Sequence, residues 1–169
     1  MMQRFRRDER ASSAVEFALL LPLLLAVLLG TVTLFDLFRN QQNLEKATFT
    51  VGDVLSRQTT TNQTFIDSMT TLVRKLVPTA SDAGLRISSI SNRGGTLSLD
   101  WSRVSGDSTA IDPAIPYEVV PDIAAGDSVI LTETFVPHRA MIAGFGVDEL
   151  TFKFRAVHRP RFVSAVAYH

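Results

Sequence analysis

From Phe17 to Phe35 the chain reads FALLLPLLLAVLLGTVTLF, an uncharged stretch with no polar face. Rising about 1.5 Å per residue as a helix, it matches roughly the hydrocarbon thickness of a bilayer. A soluble core helix would keep one polar side, so the pattern predicts a membrane span. Beyond it Leu34, Leu37, Gln41, Leu44, Thr48, Val51 and Leu55 recur at alternating three- and four-residue steps. That is one stripe of a helix, which is expected to continue to about Ser56. Stripes of this kind are ordinarily core or partner-helix surfaces. Thr59, Thr60, Thr61 and Asn62 then break and re-cap the chain. Phe65, Ile66, Met69, Leu72, Val73 and Leu76 mark a second amphipathic helix that stops before Pro78.

The period changes to two at Leu85. Leu85 and Ile87, then Leu97, Leu99 and Trp101, alternate with polar residues, and Asn92-Arg93-Gly94-Gly95 between them reads as a hairpin turn. Val129 to Val136 and Leu150 to Val157 are two further strand candidates, linked by PHRAMIAGFGVD. Between Ser105 and Gly126 the chain is rich in Asp, Pro and Gly and has little periodicity, so it predicts a long surface loop, a common seat of function. The expected fold is α+β: a long transmembrane helix and an amphipathic helix packed on a small antiparallel sheet. The divisions follow as 1–11 leader, 12–38 membrane helix, 39–58 its continuation and 59–169 an α+β domain.

Charge orients the anchor. Arg4, Arg6, Arg7 and Arg10 precede the apolar run against Asp8 and Glu9, whereas beyond it Asp36 and Glu45 offset Arg39 and Lys46. The positive-inside bias places residues 1–11 in the cytoplasm and the domain outside it. A removable signal peptide is the competing reading. Its apolar region runs about 7–15 residues and ends in small-x-small, whereas LLGTVTLF offers no clear Ala-x-Ala, so retention of the helix is expected. The chain has 17 basic and 17 acidic residues, four of each before Arg39, so the part beyond the anchor is also balanced. Nothing points to nucleic acid as a partner.

Candidate chemistry is sparse. Without cysteine there is no disulfide, thiolate site or Cys nucleophile. His138, His158 and His169 share no metal-ligand spacing on a recognisable helix, so no metal is expected. Ser and Thr lie in loops without an adjacent His motif, and Gly144-Phe145-Gly146 lacks the rest of a phosphate-loop fingerprint. No catalysis, cofactor or small-molecule substrate is expected. In the last strand Phe152 and Phe154 share one face and Lys153 and Arg155 the other, followed by Arg159 and Arg161. A basic stripe can bind an acidic partner, but cations guarding a solvent-facing sheet edge are the commoner case.

Two residues are odd for a plain anchor. Glu16 stands directly before the apolar run, where a carboxylate at the bilayer centre would cost about 2.5–3.5 kcal/mol. Its structural reading is a capping box, Ser13-Ala14-Val15-Glu16. Its functional reading is a charge seeking a positive partner, such as another subunit's terminal amine. Pro22 removes the bond to the Ala18 carbonyl and is expected to kink or locally open the helix.

DERASSAVEFALLLPLLL resembles the start of the TadE-like minor pseudopilins, components of the tight-adherence (Flp-type) branch of the type IV pilus machinery. Glu16, Phe17 and Pro22 match the pattern of a Glu followed by Phe or Tyr and an apolar helix with an early Pro. Similar wording continues at Val51-Gly52-Asp53-Val54-Leu55-Ser56-Arg57-Gln58 and at Val157-His158-Arg159-Pro160-Arg161. The resemblance implies cleavage by a prepilin peptidase between Ala11 and Ser12, on the cytoplasmic face of the bacterial inner membrane. It departs in one respect, having Ala11 where the family expects Gly. It also implies a periplasmic domain, pilin or pseudopilin partners and a pilus assembly platform. A membrane-anchored binding or scaffold module unrelated to pili is the alternative.

Overall fold

The computed structural model describes residues 9–139, 144, 146 and 149–169. Residues 1–8, part of the leader expected over 1–11, and most of the link after His138, Phe145 included, lie outside these. Helix α1 runs without a break over Glu9–Ser56, with Pro22 inside it. At about 1.5 Å per residue it is some 70 Å long, far more than its domain can cover. The stripe expected to end near Ser56 does so, and on it Leu44, Thr48, Val51 and Leu55 are buried while Leu34 stays half exposed. Ser13 lies inside the helix, not at its start, so the expected capping box at Ser13 to Glu16 does not form the N-terminus of α1.

Strand β1 (Thr60–Thr61) leads into helix α2 (Gln63–Leu76). Asn62 caps α2 by accepting the Phe65 amide at 2.9 Å, and Arg74 and Lys75 lie at the electronegative end of the dipole. Ile66, Met69 and Val73 fill its buried face. Strands β2 (Gly84–Arg93), β3 (Thr96–Gly106), β4 (Ser128–Arg139) and β5 (Glu149–His158) form an antiparallel sheet in the order β3-β2-β4-β5. The β2–β3 hairpin turns on Gly94 and Gly95, both at positive φ (64° and 94°), as a two-residue primed turn requires. The Asn92 side chain holds the Gly95 amide at 2.8 Å.

Two findings differ from the alternation read in the sequence. Leu97, Leu99 and Trp101 do not share a face. Ser89 pairs with Trp101 while Ile90 pairs with Leu99, so Asp100 is bulged out of register. The bulge turns Trp101 toward the helices and leaves Leu97 on the opposite face. Asp100 meanwhile accepts from the hydroxyl of Ser91 and from Arg93 at 2.7 Å. The second difference concerns residues 105–126. Its first two residues finish β3, and the remainder is no simple surface loop. Ile115, Val119, Val120 and Ile123, around a short 3-10 turn at Tyr117–Val119, pack on Ile90, Val129 and Leu131. The sheet is thus covered on both faces: by α1 over β4 and β5 and α2 over β3 on one, and by this segment on the other.

Strand β6 (Ala167–Tyr168) returns the C-terminus to pair in parallel with β1. Val166 enters the main core, its carbonyl accepting the Trp101 indole N–H at 2.8 Å. The two-residue pairing had no signal of its own in the sequence.

Candidate assembly site

α1 divides into two stretches with different surroundings. Residues 13–29 are all exposed, and Val15, Phe17, Leu19, Leu23 and Val27 each keep more than half their surface. Thr31 and Thr33 return their hydroxyls to the carbonyls of Val27 and Leu29 at 2.8 and 2.9 Å, leaving neither polar group in need of an outside partner. This stretch is long and apolar enough to cross a membrane. Exposed apolar surface on this scale has no stable place in water. Glu16 and Phe17 are exposed at its head, one helical turn beyond the Ala11–Ser12 bond, which itself lies in helical backbone.

From Asn40 onward α1 is seated on the domain. Thr79 donates to the Asn40 side chain at 3.0 Å, and Thr48 donates to Thr134 of β4 at 2.9 Å. Gly52 faces the His158 ring so closely that a Cβ there would overlap it, and Phe49 meets the same ring edge-on at 4.6 Å between centroids. At the end of the helix Asp53 takes Arg57 at 2.7 Å and also pairs with Arg161, whose amide donates to the Ser56 carbonyl at 2.8 Å.

The two short stretches 51–58 and 157–161, far apart in sequence, therefore meet. Together they form a clasp between the anchor helix and the end of β5. His158 is partly buried there with neither ring nitrogen hydrogen-bonded. Its pKa is lowered, first by burial and also by Arg161, against an opposing pull from Asp53.

A further set of charges was missed in the sequence. Arg86, Glu133 and Arg155 are register partners across β2, β4 and β5. Glu133 is fully buried, with Arg86 at 2.6 Å on one side and Arg155 at 3.1 Å on the other. The remaining donors of Arg86 go to the carbonyls of Asp112 and, at 2.9 Å, Ala114. The row thus pins the covering segment to the sheet. A lone charge between Leu85 and Ile87 was the available signal. Arg155 is therefore engaged inward as well as with Glu118, and Arg159 pairs with Asp127, so much of the basic stripe is neutralised within the chain. Among the described residues no group of three or more His, Asp or Glu could hold a metal ion.

A long apolar helix that is bare for its first turns and clasped to an α+β domain at its far end defines a class of proteins that carry such a domain on one long apolar helix. Residues 11–53 match the family model described as TadE-like protein, so the N-terminal region is TadE-like. The match takes in Glu16, Phe17 and Pro22 and ends on Gly52 and Asp53 of the clasp. No curated protein and no solved structure gives a significant match.

Proposed function

We propose that the chain is a minor pseudopilin of a tight-adherence (Flp-type IV) pilus, held in the bacterial inner membrane by α1 with its domain in the periplasm. The observation that carries the reading is the bare apolar helix at 13–29, headed by Glu16 and lying within the TadE-like stretch. A helix that must leave lipid for a filament needs an uninterrupted apolar surface for neighbouring helices to cover, and this one offers it. Prepilin peptidase would cut between Ala11 and Ser12, removing the arginine-rich leader and keeping the anchor.

Glu16 would then meet the terminal amine of another subunit. In an apolar bundle an unpaired carboxylate is costly, so pairing rewards correct register and penalises misassembly. Pro22, without an N–H to give, would ease deformation of the helix during extraction. The role is structural, not catalytic, and the pilus base or tip and its assembly platform are the sites of action.

Deleting the chain should abolish surface pili, and the full-length chain should restore them. Residues 36–169 exported behind a cleavable signal peptide should not. Restoration of pili by the released domain would refute the anchored-subunit reading. Normal piliation after the deletion would favour an anchored module unrelated to pili.

A further inference from the structure

α1 carries a second stripe on the side it mostly turns away from the domain, with only its last member, Phe49, also touching the His158 ring edge-on. Phe35, Phe38, Gln42, Glu45 and Phe49 follow one another at steps of three, four, three and four residues, all of them exposed. The stripe lies opposite Asn40, Leu44, Ala47, Val51 and Leu55, which the domain buries. Phe35, Phe38 and Phe49 keep 69%, 57% and 61% of their surface. Phe49 is about 21 Å along the helix from Phe35, so lipid around the anchor cannot cover it. Upstream the same spacing runs on through Thr31, Leu28, Leu24, Leu21 and Phe17. Steps of this kind make the seam of a left-handed two-helix coil.

We propose that this stripe is the seam along which a second copy of the chain docks, helix against helix, parallel and in register. Two copies of a single-pass protein enter the bilayer in the same direction and to the same depth. That requires a parallel pair about a two-fold axis in which equivalent residues meet. The stripe suits such self-pairing. Gln42 faces Gln42 of the second copy, and a side-chain amide both donates and accepts, so the pair is self-satisfying and fixes register as a polar core residue does in coiled coils.

Glu45 does not face an equal charge alone, because a residue at its seam position packs beside the residue that follows the equivalent position on the other helix. That neighbour is Lys46, exposed and of opposite sign. Two symmetric Glu45–Lys46 pairs form. By the same geometry Arg39 comes beside Phe38, where a guanidinium can lie over the ring. The residues that seat the domain, Leu44, Ala47, Val51 and Leu55, lie on the far side of each helix. The inference rests on the anchored reading of α1 but not on pilus formation.

Because the chain has no cysteine, single cysteines can be placed along α1 without background. Full-length variants at positions 38 to 50 would be produced in membranes of cells without pilus machinery and oxidised. Dimers of twice the chain mass should form at 38, 42, 45 and 49 and be lost at 40, 44 and 47. With the cysteine at 42, Glu45→Lys should cut the dimer yield several-fold, and adding Lys46→Glu should restore it. Cross-linking without this period, cross-links only to a chain of different mass, or dimers indifferent to Glu45→Lys would each overturn the proposal. Alkaline extraction of the same membranes tests the anchor separately: release of the chain would defeat the anchored reading itself.

Discussion

His158 is the residue at which packing and chemistry conflict most openly. The helix comes near enough to β5 that only glycine fits at position 52, and the imidazole filling the gap has both nitrogens buried without partners. Burial favours the neutral ring, so its pKa in the fold lies below the ordinary 6.5. The unfolded chain therefore binds the proton first on acidification. Stability from this residue is complete above about pH 6.5 and is lost as pH falls from there through the lowered folded value. Thermal unfolding of the detergent-solubilised protein between neutrality and about pH 5 should show that decline. His158→Phe should flatten it, and an unchanged slope in that variant would assign the decline to other groups. The sequence brought Gly52 and His158 to notice only as parts of two distant similar stretches. Their contact depends on how α1 crosses β5, which no local pattern encodes.

Elements were legible where neighbouring residues set them, and obscure where pairing between distant segments did. The stripe through Leu44, Val51 and Leu55, the Asn62 cap and the Gly94-Gly95 turn are local chemistry, and each was readable from a few neighbouring residues. The bulge at Asp100 was not, because an inserted residue leaves the letters alternating while the pairing slips. Nor was the cover formed by residues 105–126, whose apolar side chains are too irregularly spaced to show a period. The row Arg86–Glu133–Arg155 joins three strands to that cover, so its loss should be felt beyond one side chain. Glu133→Ala leaves Arg86 buried without a counter-charge and should destabilise the protein by about 3–5 kcal/mol in chemical denaturation. A loss below about 1 kcal/mol, the size of an exposed pair, would show that the row holds nothing together.

At the scale of the whole molecule, one helix does two jobs. Its last turns are a wall of the domain's core, clasped by Arg161 and by His158 at the end of β5, while its first turns have no intramolecular cover. In the proposed role, the unbroken helix would carry a force on the anchor directly into the domain. The length and bareness of the apolar segment were plain in the sequence, and so was its resemblance at Glu16, Phe17 and Pro22. How far the helix penetrates the fold was visible only as a stripe, and what it touches was not visible at all. The central claim is that this helix is a processed pseudopilin anchor. The most direct test is the N-terminal mass of the protein from cells with and without their prepilin peptidase. The account predicts a chain beginning at Ser12 when the peptidase is present and at the uncut leader when it is absent. An intact leader in both would contradict it.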